Sequence, residues 1–157
     1  MQELQRDDLQ DLYKLDTDLE VNRYVGDISK NFTETLLWYR DTRRHYRKDG
    51  FDVYAVRLKE NNEFIGLCGL RLRGDSEVHA ELVYRFHKAY WGKGYATETS
   101  KAWLEKYNNI TIFSFYETEN LASRNVMLKL GFKPCEKVST RYDTTPGVWM
   151  KYEPKSG

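Results

Sequence analysis

Hydrophobic and polar positions follow a helical spacing at the start of this chain, a two-residue alternation in its middle, and then both in turn. Leu9, Leu12, Tyr13 and Leu15 recur at helical intervals behind Asp7-Asp8, which predicts a short helix with acids in its first turn. A second helix is expected from about Thr33, read as its N-cap, with Leu36, Leu37, Tyr39 and Tyr46 along one side and Gly50 as the stop. Strand-like runs follow at 53–58, 64–72 and 80–86, with a turn at 60–63, and together they predict an antiparallel meander. From Gly92 the spacing is helical again, placing Ala96, Ser100, Trp103, Leu104 and Tyr107 on one face until Asn108-Asn109 breaks it. Residues 110–116 read as a buried strand. Asn120 opens another helix with Ala122, Val126, Met127 and Leu130 inward, closed by Gly131 and the hydrophobic Phe132. Residues 133–153 read as two strands around a turn at 143–147. A meander passing into strand, helix, strand, helix and strands predicts one α+β (mixed α/β) domain over residues 1–157, a mostly antiparallel sheet flanked by helices.

Composition narrows the function classes. With 25 Lys plus Arg against 24 Asp plus Glu the net charge is +1, which argues against a nucleic-acid footprint spread over the surface. The basic run Arg43-Arg44-His45-Tyr46-Arg47-Lys48 falls near a helix end, where cations suit the macrodipole; it reads as a solvated helix end rather than a phosphate or RNA patch. Cys68 and Cys135 are far apart, so neither a disulfide scaffold nor a zinc site is expected, and Cys68 in its apolar run reads as a small buried hydrophobe. His45, His79 and His87 show no metal spacing and receive no role. The first residues lack the apolar stretch of a signal peptide and no run reaches membrane length, so a cytoplasmic protein is expected, with no metal, no nucleic acid and no membrane partner.

The informative segment is Tyr90-Trp91-Gly92-Lys93-Gly94-Tyr95-Ala96-Thr97-Glu98. A strand runs through a glycine-containing turn into the first turn of a helix, where unpaired backbone N–H groups converge and the dipole adds positive potential. Gly92 and Gly94 remove side chains that would keep a diphosphate from that backbone, Ala96 leaves the approach open, and Thr97 can add a hydroxyl. There is no P-loop sequence, and the third glycine of the dinucleotide fingerprint is missing. The next helix carries Asn120-Leu121-Ala122-Ser123 through Lys129-Leu130-Gly131-Phe132.

These two segments, in this order and on these elements, closely resemble the GNAT acyltransferase superfamily, in particular its ribosomal-protein and polyamine N-acetyltransferases. The runs Phe64 to Leu70 and Glu81 to Tyr84 match as well, so the resemblance covers almost the whole chain. It implies a splayed sheet and acetyl-CoA as cosubstrate. Backbone groups of Tyr84, Arg85 and Phe86 would pair with the pantetheine arm. Backbone N–H groups of Trp91, Gly92, Lys93, Gly94, Tyr95, Ala96 and Thr97 would hold the diphosphate. Asn120, Ser123 and Lys129 would meet the CoA further along, although Asn120 also suits a plain helix cap.

Acetyl transfer to an amine needs a polarised carbonyl, and a backbone N–H near Phe86 is the expected oxyanion donor. Glu81 is the candidate base, acting through a water, with a surface ion pair as its alternative. Where many relatives carry a Tyr acid this chain has Met127, so the thiolate leaves unassisted, takes a proton from water, or uses Tyr116 if that side chain turns inward. The amine favoured is a protein α-amine, with polyamines and aminoglycosides open, and the acceptor site is expected between the N-terminal helices and the 143–147 turn. The rival reading is a catalytically silent acyl-CoA-binding sensor. Either a monomer or a homodimer is compatible with the sequence.

Overall fold

A computed structural model describes residues 1–25, 29, 31–74 and 78–155. Among the described residues six strands form one sheet in the order β1-β2-β3-β4-β6-β5. They are β1 (Val53–Arg57), β2 (Phe64–Arg73), β3 (His79–Phe86), β4 (Ile112–Glu117), β5 (Lys133–Pro134) and β6 (Gly147–Tyr152). The helices are α1 (Leu9–Thr17), α2 (Phe32–Asp49), α3 (Tyr95–Lys106) and α4 (Leu121–Leu130). The expected meander is present: β1, β2 and β3 pair antiparallel in succession. Ahead of α1, Gln2 makes a single isolated antiparallel bridge with Ala55 of β1.

Alternation along the strands sends side chains to two opposite faces. One face packs Cys68, Leu70, Leu82 and Phe86 with Trp103, Leu104 and Met127 of α3 and α4. The other packs Val53, Ala55 and Leu67 with Leu4, Leu12 and Leu15, beneath Trp38 and Tyr39 of α2. Cys68 lies fully buried on the first face, as a small hydrophobe should, 3.6 Å from Ser100 Oγ.

Two boundaries differ from the sequence pattern. The cap of α2 is Asn31 rather than Thr33, because the Asn31 side chain accepts from the Glu34 N–H at 3.0 Å and the helix already includes Phe32. The expected strand pair at the C-terminus reduces to the two residues of β5 against β6, and 135–146 is largely irregular. One further bond, from the Cys135 N–H to the Trp149 carbonyl at 2.9 Å, follows before the segment turns irregular. In the basic run at the end of α2, Arg44, Arg47 and Lys48 are exposed, whereas Arg43 and His45 are partly buried. Arg43 meets Glu3 at 3.4 Å and donates to the Leu4 carbonyl, while His45 lies 2.5 Å from the buried Asp52.

A cleft between parting strands

Among the described residues β3 and β4 are the only parallel neighbours in the sheet, and their pairing stops after two positions, Ala80 with Ile112 and Glu81 with Phe113. Beyond that point the Ser114 hydroxyl donates to the Leu82 carbonyl at 3.1 Å, a side chain standing in for the ladder as the strands part. The gap opens into a cleft of about 1170 Å³ that runs through the sheet. It brings together Glu81, Tyr84, Arg85, Phe86, Trp91, Gly92, Gly94, Tyr95, Ala96, Thr97, Asn120, Ser123 and Lys129. Of the residues singled out from the sequence, Lys93 alone is not on its wall; its ammonium lies over the Tyr90 ring, 5.6 Å from the centroid.

Backbone parity decides which groups of β3 face that gap. The His87 N–H donates to the Ile65 carbonyl, and the β2–β3 register is unbroken from Gly66–Phe86 to Arg73–His79. Antiparallel alternation therefore turns the N–H and C=O of Val83 and Arg85 toward β2, and those of Tyr84 and Phe86 toward the open side. The Phe86 carbonyl already accepts from the Trp91 indole at 2.8 Å. Arg85 shapes the cleft by its side chain instead. Its guanidinium donates to buried Asp16 and to Asn22, both at 2.8 Å, and Asn22 in turn donates to the carbonyls of Leu15, Asp16 and Asp18. Thr35 of α2 donates to the second Asp16 oxygen at 2.7 Å. This network ties the start of the α1–α2 connection, whose Val21 and Tyr24 line the cleft, to the free end of β3.

At the mouth on the α3 side, Gly92 and Gly94 have φ of +72° and +83°, and Gly94 is the residue before α3. A Cβ at either would meet no atom within 4 Å, so the glycines answer to backbone conformation and to whatever lies outside the turn rather than to internal crowding. Asn120 does cap α4: its Oδ1 accepts from the Ser123 N–H at 3.2 Å. That leaves its NH₂ group with no part in the capping bond. Ser123 Oγ lies 2.7 Å from the Tyr84 hydroxyl, so a phenol from β3 reaches across to α4, and burial pushes the Tyr84 pKa up to about 12. Met127, one turn after Ser123, is 1% exposed and belongs to the core, as does Tyr116.

The opposite side of the sheet holds the charged end of the cleft. Glu81 is no surface carboxylate; it is 3% exposed. Its Oε1 accepts from the Tyr142 hydroxyl at 2.5 Å, and its Oε2 lies 3.6 Å from Arg73 Nε and 3.7 Å from His79 Nε2. Burial pushes this carboxyl up, but His79, Arg73, Tyr142 and Arg141 together outweigh burial and hold it below the usual range. Beside it Arg71 donates to Asp52 and Thr42 and lies over the Trp38 ring at 4.8 Å. Sequence reasoning missed His79 and Tyr142. His79 had a signal, since residues two apart on a strand share a face. Tyr142 had none: it reaches Glu81 from 61 positions away, out of an irregular segment.

A parted parallel strand pair, a glycine turn at a helix start and a buried carboxylate on the far side together define an acyltransferase-type cleft. The acetyltransferase (GNAT) domain family matches residues 1–133, and the chain belongs to that family; it is an acetyl-CoA-dependent N-acetyltransferase. It is 27% identical to the uncharacterized protein YkkB of Bacillus subtilis over 144 residues, 88% of this chain and 81% of that one. Its fold is similar to spermidine N-acetyltransferase of Vibrio cholerae, solved with CoA and spermine, with TM-score 0.78 and 19% identity over 98% of this chain and 94% of that one. It is equally similar to RimL, a ribosomal α-N-protein acetyltransferase solved with CoA, with TM-score 0.78 and 12% identity over 97% and 92%. Among the described residues no helix is long and apolar enough to cross a membrane, and no group of three or more metal-ligating side chains occurs.

Proposed function

We propose that the protein transfers the acetyl group of acetyl-CoA to a primary amine by direct attack, with a protein α-amine as the favoured acceptor. The observation that carries this reading is the early end of the β3–β4 ladder beside the glycine turn, which leaves an edge for an amide-bearing arm and a cradle for a diphosphate. Tyr84 and Phe86 offer the open backbone groups to the pantetheine, and Arg85 braces that edge through Asp16. The N–H groups of 91–97 meet the diphosphate. The Asn120 amide NH₂, Ser123 and Lys129 line the same path. The Tyr84 N–H, on the open edge and nearer Glu81 than the expected Phe86 N–H, is the donor for the carbonyl oxygen as it gains charge. The thiol leaves readily as thiolate, its ordinary pKa being about 8.5.

The acceptor preference follows from electrostatics. The two neighbours of equal TM-score act on different amines, so likeness carries no preference. Arg23, Arg71, Arg73 and Arg141 line the cleft with Glu20, Glu81 and Glu117. Since Glu20 is already paired with Lys88 and Glu81 with Arg73, an incoming polycation would meet an excess of cations. Glu81, held below its usual range, is a weak base. A lysine-like amine near 10.4 must give up about 3.4 units at pH 7, roughly 4.6 kcal/mol, whereas an α-amine near 7.7–8.0 is about a tenth neutral already. Incubation with acetyl-CoA and a panel of peptides, polyamines and aminoglycosides, read by product mass, tests this. Acetylated peptide α-amines are expected. Acetylation of polyamines alone would overturn the acceptor, and saturable acetyl-CoA binding without product on any amine would favour the silent sensor, to which a buried Met127 without an acidic proton is suited.

A further inference from the structure

We propose that Tyr142 seats the acceptor amine, its phenol oxygen accepting a hydrogen bond from the amine N–H while Glu81 aims that oxygen. The inference rests on the acetyltransferase reading and adds a residue to it. A phenol has one proton to donate and lone pairs with which to accept. In Tyr142 the proton is committed to Glu81 Oε1 at 2.5 Å, so what the hydroxyl can still offer a partner is a lone pair. The side chain lines the cleft and is only half-buried.

The ring is held in place. It stacks on Phe115 with centroids 4.4 Å apart and planes at 13°, and it leans on Trp149 at 5.5 Å. Phe115 itself occupies the space over Gly147, where a Cβ would come within 2.2 Å of its ring. The phenol is therefore placed by β4 and β6, and its partner carboxylate by β3, where the strands begin to part. Glu81 is less able to greet the amine itself, with Oε1 taken by Tyr142 and Oε2 facing Arg73 and His79. Burial raises the Tyr142 pKa to about 12, so the hydroxyl keeps its proton at working pH and the arrangement persists. A neutral primary amine that donates one N–H to this oxygen keeps its lone pair for attack. As its nitrogen bonds the acetyl carbon, the carbon–sulfur bond breaks with its electron pair on sulfur, and nitrogen sheds one proton to water.

Tyr142→Phe tests the assignment, because it keeps the stack on Phe115 and removes one oxygen. Trialanine, with a free α-amine, is titrated calorimetrically into CoA-saturated wild type and variant, and amine KM is measured alongside. We expect trialanine affinity about tenfold weaker and amine KM about tenfold higher in the variant, with CoA affinity unchanged. In a companion pair, Glu81→Gln, whose amide oxygen still accepts from the phenol, retains trialanine binding better than Glu81→Leu. Equal trialanine affinity in wild type and Tyr142→Phe would overturn the proposal, as would a wild type that does not bind trialanine. The titration needs no turnover, so an absence of acetyl transfer would count against the proposed function and leave the Tyr142 result to stand by itself.

Discussion

Replacing Gly94 by Ala and by Val separates a structural turn from a diphosphate cradle. Gly94 has φ +83°, and a Cβ there meets no atom within 4 Å. The internal cost is thus conformational strain alone, roughly 1–2 kcal/mol for an L-residue in the left-handed region. For a domain of this size that lowers the melting temperature by roughly 2–8 °C, with a somewhat larger effect for the β-branched residue. If the turn has no ligand, nothing more happens. If its N–H groups hold a diphosphate, the new side chain stands where the ligand must approach, and even one lost charge-assisted hydrogen bond is worth about 1.5–3 kcal/mol. CoA affinity should then fall roughly 10- to 150-fold, with Val worse than Ala. Calorimetric titration of CoA at a temperature where both variants are folded gives the answer. Affinity within a factor of two of wild type in Gly94→Val, alongside the expected melting shift, would refute the cradle.

Three further outcomes follow from the same geometry. Arg85→Met leaves the Asp16 carboxylate buried without its cation, at a cost of about 3–5 kcal/mol, and a thermal melt should show a fall of roughly 6–20 °C. A fall under about 2 °C would mean the network does not brace β3. Asn120→Ser keeps a good helix cap but loses the amide NH₂, so stability should hold while CoA binding weakens; if both are unchanged, Asn120 is a cap and nothing else. Glu81, with its folded pKa depressed, contributes stability that is complete above its unfolded pKa of about 4.3 and disappears as pH falls through the folded value. The urea midpoint of wild type should therefore exceed that of Glu81→Gln more at about pH 6 than at about pH 3.5, and an equal gap at both would contradict the carboxylate's paired state.

The elements proposed to position CoA were legible because their signals are local. Gly92-Lys93-Gly94 before a helical face, and Asn120 before another, are read from neighbours within a few residues, and the structure sets both against one cleft. The cap of α2 moved from Thr33 to Asn31 because both residue types cap well and only the Glu34 N–H distinguishes them. The C-terminal strand pair was overestimated, since alternating sequence does not reveal that β5 is only two residues long. The proposed acceptor end was the least visible part. Glu81 could be named from its strand, but its burial depends on Arg73, His79 and Tyr142, and the last comes from a segment with no periodicity. Backbone parity is likewise a property of register. The sequence treats Tyr84, Arg85 and Phe86 alike, whereas pairing with β2 turns Arg85 the other way.

That difference supplies the most direct test of the pantetheine edge. Amide hydrogen exchange at individual residues of β3, followed by NMR with and without acetyl-CoA, compares three consecutive N–H groups in one strand. The Arg85 amide should be protected in both states by its bond to β2, while those of Tyr84 and Phe86 become protected only when acetyl-CoA is added. Protection of Tyr84 and Phe86 that does not change on saturation with acetyl-CoA would contradict the placement of the donor along the open edge of β3.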